Sequence, residues 1–312
     1  MVVVVHAMRA LVLTIDLDGL TNIASLHGLG LEYEDPHFFY REPLERFVDF
    51  CEGEGLPATL FVVTQDISGI AKDRLRELSA QGFEIACHSH RHDHLWTQGE
   101  PGAILNELRI AKATIQEEIG VNPCGFRAPG YIMTAQLMDE LESQKFLYDS
   151  SVLPTSSSAQ NSQLKRLWQR FLRRPSPRLV ASEDAKNAPT QPYRPGRNPY
   201  EVGHRKLLEL PISVDSSGTG TALGFFGPGP EDGYAPPQDF EREEVVMVSL
   251  NGLHFTDPSK DSLPEGFARG IKALSVPFSE RLTRLRESVS SLAHGRSCLR
   301  AYDLAMHLQS EL

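Results

Sequence analysis

The run Ala10-Leu11-Val12-Leu13-Thr14-Ile15 restricts the fold more than any other part of the chain. A segment this apolar suits a strand buried on both faces, as in the middle of a parallel sheet covered by helices. The rest of the chain keeps that rhythm. Pro43 opens a helix with Leu44, Phe47, Val48 and Cys51 inward and Gly53 as its stop. Strands follow at Ala58–Thr64 and Phe83–Cys87, separated by a helix through Leu75 and Leu78 that ends at Gly82. Ile104, Leu108, Ala111, Ile115 and Ile119 recur at helical spacing up to Gly120. Gly125–Arg127, a helix through Leu137, Met138 and Leu141, and Tyr148–Asp149 extend the alternation. After Pro154 it breaks, and 155–205 reads as one polar insertion rather than a separate domain. Strands resume at Leu207–Val214 and Val245–Phe255 around a Gly/Pro-rich loop, and Ser279 caps a late helix closed by Gly295. The expectation is an α/β chain, 1–312 as one domain, with about seven strand–helix units in a barrel or an open doubly wound sheet. Residues 275–312 are expected to add helical elements that complete it.

Composition narrows the function. A net charge of -10 disfavours nucleic acid as a partner, because that binding rests on phosphate neutralisation by Lys and Arg. Cys51, Cys87, Cys124 and Cys298 form no CxxC pair and read as separate thiols. No apolar run reaches the length of a membrane span, and the N-terminal residues lack a secretory pattern, so the expected compartment is the cytoplasm.

Two clusters carry candidate chemistry. His88-Ser89-His90-Arg91-His92-Asp93-His94 follows a strand and holds four of the chain's 11 histidines. Neutral imidazoles in such density suit a transition-metal site, whereas the plain alternative is a solvated polar loop. Thr14-Ile15-Asp16-Leu17-Asp18-Gly19 places two acids at the end of the most apolar strand. Turn chemistry accounts for Asp18-Gly19 but not for Asp16, whose carboxylate needs a partner or a ligand. Arg127-Ala128-Pro129-Gly130, Asp149-Ser150-Ser151 and His254 occupy further strand ends, where α/β proteins collect ligands.

Taken in order, Asp16/Asp18, His88-Ser89-His90-Arg91-His92, Arg127-x-Pro129, Asp149-Ser150 and Leu250…His254 resemble the motifs of the carbohydrate, or polysaccharide, deacetylases with a NodB homology domain. The resemblance runs over about residues 9–312, with the insertion loosely matched. It implies a distorted (β/α) barrel of about seven strands, a divalent metal and hydrolysis of an N-acyl group on a sugar. It implies Asp18, His88 and His92 as metal ligands, Asp16 as general base and Arg127 as its charge partner. It makes His254 the general acid and Asp149 the partner of His254. Pro129, Gly130, Tyr131 and Ser150 would line the substrate. Zinc is the first expectation, with nickel, cobalt and manganese as alternatives.

Leu17 separates two acids that are adjacent in many members. Residues i and i+2 of a strand share a face, so both reach one site and their roles remain open to exchange. Gly130 stands where many members carry an aromatic. His90 and His94 fall outside the pattern and read as loop residues; Cys87 reads as strand-end packing, and Trp96 as either a stacking or a rim aromatic.

Leu164, Leu167, Trp168, Phe171 and Leu172 form an apolar stripe among Lys165, Arg166, Arg170, Arg173 and Arg174. Such a basic amphipathic segment over 164–174 either lids its own domain or lies on an anionic membrane. In the latter case a lipid-linked sugar becomes a candidate substrate, and a deformylase of the same family the alternative activity. The competitor from another class is a catalytically silent carbohydrate-binding relative. A dinucleotide-binding reading of Gly218, Gly220 and Gly224 fails on spacing.

Overall fold

The structure is a computed structural model that describes residues 8–26, 35–93, 97, 102–154, 183–214 and 240–311. His94, Trp96, the stripe at 164–174 and the glycines at 218, 220 and 224 lie outside the described residues.

One eight-stranded sheet carries the fold. Its strands are β1 (Ala10–Leu17), β2 (Ala58–Val62), β3 (Glu84–Cys87), β4 (Gly125–Phe126), β5 (Tyr148–Asp149), β6 (Leu208–Glu209), β7 (Val245–Asn251) and β8 (Ser297–Leu299). The order is β6-β5-β4-β3-β2-β1-β7, every pairing parallel, with β8 set against the start of β1. Parallel neighbours need crossovers, and helices supply them. They are α1 (Leu20–Leu26), α2 (Glu42–Glu54), α3 (Gly69–Ala80), α4 (Ala103–Glu118) and α5 (Ala135–Ser143). Three more follow β6 and β7: α6 (Phe267–Gly270), α7 (Phe278–Ala293) and α8 (Ala301–Glu311).

The two-residue period of β1 divides the interior. Leu11, Leu13, Ile15 and Leu17 join the core formed with the inward faces of α2, α3, α4, α5 and α7. Ala10 and Val12 join a second core with Phe61, Ala86, Tyr148, Met247 and the inward residues of α8, Ala301, Leu304, Ala305 and Leu308. That second core is the inside of the curl, with α8 across one end. Its N-terminal turn docks by backbone N–H groups: Ala301 donates to Thr59 Oγ1 at 2.9 Å and Tyr302 to Glu84 Oε2 at 2.8 Å. The barrel is tight here. A Cβ on Gly125 would sit 2.0 Å from the Tyr148 ring, so this position admits no side chain.

The edges β6 and β7 meet through the segment after β6. Ile212 N–H donates to Val152 O, Ser213 N–H to Met247 O, and Met247 N–H to Ser213 Oγ. The expected α/β barrel is therefore a curled half-barrel whose open side this segment bridges. Local boundaries differ from expectation. The helix opened by Pro43 runs past Gly53 to a left-handed cap at Gly55, and α7 starts at Phe278 after Pro277, so Ser279 is inside it. The strand expected over Leu207–Val214 is regular at Leu208–Glu209 alone. The one expected to reach Phe255 stops at Asn251, where a 3-10 turn over Gly252–Phe255 takes over. Residues 275–312 add a strand, β8, as well as helices. Within the described part of the insertion, Tyr193 pairs with Glu209 and covers the outer edge of β6. No helix among the described residues is long and apolar enough to cross a membrane.

Candidate metal centre

The inward parity of β1 continues past its apolar half. Thr14 and Asp16 follow Ala10 and Val12, and Asp18 lies two residues beyond Asp16 at the strand's C-terminal end. Strands β3 and β4 end at the same level and supply His88 and Arg127, one residue past each strand.

Asp18 Oδ1 lies 3.2 Å from His88 Nε2 and 3.0 Å from His92 Nε2, and all three residues are buried. Ligand atoms of the three lie within 4.8 Å of one another. The His88 Nδ1–H donates to the Arg127 carbonyl at 2.7 Å, since a carbonyl can only accept. In neutral His88 the proton is thus on Nδ1, and Nε2 turns a lone pair toward the carboxylate. A backbone carbonyl behind a ligating imidazole is the usual second support of a metal histidine. Asp18 Oδ1 makes no hydrogen bond although it is buried. An oxygen and imidazole nitrogens this close, without a hydrogen bond at the oxygen, fit a shared cation. The donor set fits one divalent ion: three protein ligands leave positions open, as catalytic sites require. Burial works against ionised Asp18, yet the His92 and His88 imidazoles hold its carboxyl well below the usual range. Burial likewise opposes charge on His88, but the close approach of the Asp18 carboxylate and the charge of Asp16 outweigh it and raise its pKa.

Asp16 is 4% exposed, with Oδ1 2.7 Å from Arg127 Nη1. Arg127 is wholly buried and well bonded. Nη1 also donates to Thr14 Oγ1 and Ser249 Oγ, Nε to Ser150 O and Nη2 to Ser150 Oγ, and the guanidinium lies 4.1 Å over the Phe61 ring. Tyr131 directs its hydroxyl to Asp16 Oδ2 at 3.5 Å. Gly130 has φ +65, a left-handed conformation that an aromatic at this position would adopt only under strain. Pro129 is buried beside it in the same 3-10 turn.

Three sequence expectations need correction. Asp149 does not pair with His254: its carboxylate accepts from Ser151 N–H at 3.0 Å and Ser151 Oγ at 2.7 Å, and bonds Glu209. Glu209, brought across by β6, takes the position expected of the histidine. Two buried carboxyls side by side share a proton, and burial pushes Glu209 well above the usual range. His254 is not primed as an imidazolium. Burial lowers its pKa to about 3, opposed by the bond to the Asn251 backbone and aided by the smaller effect of the Arg281 charge. Its Nδ1 meets both N and O of Asn251, and Arg281 clamps the turn by donating to the carbonyls of Leu253, His254, Thr256 and Val276. Ser150 does not line an open site: it is fully buried, accepting from Arg127 and donating to Leu210 O at 2.8 Å.

Sequence reasoning missed Asp66 and Glu107. Asp66 follows β2, 6% exposed, and burial together with the Asp18 charge pushes it up to about 7. Its signal was the one used at β1, an acid just past an apolar strand. Glu107 interrupts the inward stripe of α4 between Ile104 and Leu108 and is buried there.

Residues 30–148 match the family model described as polysaccharide deacetylase. Over that segment by family model, and along most of its length by fold, this chain is similar to the polysaccharide deacetylases. A putative polysaccharide deacetylase from Mycobacterium smegmatis superposes with a TM-score of 0.58 at 17% identity, over 97% of this chain and 90% of that one. A probable polysaccharide deacetylase from Pseudomonas aeruginosa PAO1 gives 0.56 at 16%, over 97% and 91%. The crystal structure of Puue Allantoinase gives 0.59 at 15%, over 96% and 90%. At these identities the three are similar in fold. No curated protein matches the sequence.

Proposed function

We propose that this chain is a metal-dependent hydrolase of the polysaccharide deacetylase family that removes an N-acyl group, acetyl or formyl, from a sugar of a polysaccharide or glycoconjugate. The observation that carries this reading is the convergence of Asp18, His88 and His92 beside the ion pair Asp16–Arg127. Asp18, His88 and His92 would hold the ion, with zinc the first candidate. Once bound, a divalent ion supplies Lewis-acid polarisation of the acyl carbonyl and acidifies water.

The remaining roles fall to the chain itself. Asp16 accepts the proton of the attacking water, with Arg127 fixing the orientation of its carboxylate. The leaving nitrogen must gain a proton, and Asp16 can return the one it took. That assignment fits a His254 kept neutral by burial. The backbone N–H of Gly130 is the donor for charge developing on the carbonyl oxygen, and Pro129 and Tyr131 shape that wall. The Asp149–Glu209 pair acts further back: it holds Ser151, whose Oγ accepts from Ala128 N–H at 2.8 Å and so fixes the turn bearing Gly130.

The test is release of acetate and formate by zinc-loaded protein from N-acyl sugars offered free, as polymers and lipid-linked, with allantoin as a control. Release from any of the sugars, abolished in Asp16→Asn, supports the reading. Turnover of allantoin alone, or sugar binding without release, replaces it with another amide hydrolysis or with a silent binding protein.

A further inference from the structure

We propose that Glu107 is a positioning residue for the metal, holding the loop between the two histidine ligands in its ligating shape. This rests on the metal-hydrolase reading above. His88 and His92 are joined by Ser89, His90 and Arg91, and the loop is bent sharply enough to put Ser89 at φ +65 and His92 at φ +56. Left-handed residues with side chains persist where surrounding contacts enforce them. The backbone of the loop shows what enforces these two.

His88 N–H donates to Val62 O, Ser89 N–H meets the Cys87 sulfur, and His92 N–H donates to Ser89 Oγ at 3.0 Å. The carbonyls of Ser89 and His90 accept from the N–H groups of Thr64 and Gln65. The two N–H groups in between, on His90 and Arg91, both go to one atom, Glu107 Oε1, at 3.0 and 2.7 Å. Glu107 is 8% exposed and rides on a 16-residue helix, so its carboxylate is a fixed point, not a mobile surface group. Hydrogen bonds from two adjacent amides to one anion stabilise the turn as a unit. Without that acceptor, the amides are left unsatisfied and the two left-handed residues can relax toward ordinary backbone. His92 then moves away from Asp18, while His88, fixed by Arg127 O, stays.

The test uses Zn²⁺ alone, titrated against a chromophoric chelator, on wild type, Glu107→Met and Glu107→Gln. Met keeps the volume and loses the acceptor; Gln keeps a carbonyl oxygen at the same place. The expected result is Zn²⁺ affinity about 10–100-fold weaker in Glu107→Met, with Glu107→Gln recovering most of the loss. The Co²⁺ absorption spectrum should shift in Glu107→Met and return in Glu107→Gln. Wild-type affinity and spectrum in a Glu107→Met protein of lowered Tm would overturn the inference and make Glu107 a fold residue. No Zn²⁺ binding by the wild type would instead overturn the metal reading itself, and this inference with it. Should Glu107→Met not fold, amide exchange decides: the His90 and Arg91 amides are expected to be protected in the metal-free wild type and faster in Glu107→Gln. Fast exchange of both in the wild type overturns the proposal.

Discussion

Replacing Arg127 with Met tests how the site is held together. The substitution keeps an unbranched chain over the Phe61 ring but removes the guanidinium from Asp16. The carboxylate is then 4% exposed with no cation against it, and Thr14, Ser249 and Ser150 each lose a donor. Removing one partner of a buried ion pair costs about 3–5 kcal/mol, largely through the charge left behind. At about 2.1 cal/mol/K per residue the unfolding entropy is about 0.65 kcal/mol/K, so Tm should fall by about 5–8 °C. Adding Asp16→Asn removes the stranded charge and should restore about 1–3 kcal/mol. The assay is calorimetry and urea unfolding of metal-free protein at pH 7, because bound metal would add its own stabilisation. A single variant within about 1 kcal/mol of wild type, or a double variant no better than the single, would refute the argument.

Three further outcomes follow from the buried titratable groups. Between pH 6.5 and about 3 the unfolded chain protonates His254 and the folded chain does not, so its contribution to stability is lost as pH falls below 6.5. His254→Asn should remove a slope of up to about 1.4 kcal/mol per pH unit, read by urea unfolding at several pH values. For Asp66 the order is reversed: its folded pKa of about 7 stands above 3.8, so stability is lost as pH rises between them. Metal-free Asp66→Asn should show a flatter decline from pH 4 to pH 8 by the same assay. His88, its pKa raised in the metal-free site, competes as a proton acceptor with the ion. Zn²⁺ affinity should therefore fall about tenfold per pH unit below that raised pKa, with proton release seen by calorimetry in two buffers.

The parts of the site visible in the sequence are those written within one strand or one loop. The two-residue parity of β1 already put Asp16 and Asp18 on one face, and the spacing of His88 and His92 marked a ligand loop. What escaped depends on contacts between distant segments. Asp16 and Arg127 are 111 residues apart, and only the family resemblance paired them, as the structure does. The resemblance assigns Asp149 to His254, but the register of β5 with β6 sets Glu209 against it. The lowered pKa of His254 also escaped, because it comes first from the burial of the ring, with the Arg281 charge, 27 residues on, adding to it. Strand β8 has three residues and a partly exposed face, too short for any periodicity to show. Glu107 was legible in principle, as an acid inside an apolar helical stripe, and so was Asp66.

The central claim is that Asp18, His88 and His92 hold one divalent ion. Elemental analysis after chelator stripping, zinc reloading and desalting tests it directly, with wild type beside Asp18→Ala and Asp16→Asn. The account predicts one equivalent in the wild type, most of it lost in Asp18→Ala and retained in Asp16→Asn. Full metal in Asp18→Ala with none in Asp16→Asn would exchange the two aspartates, and a wild type that retains none would contradict the account.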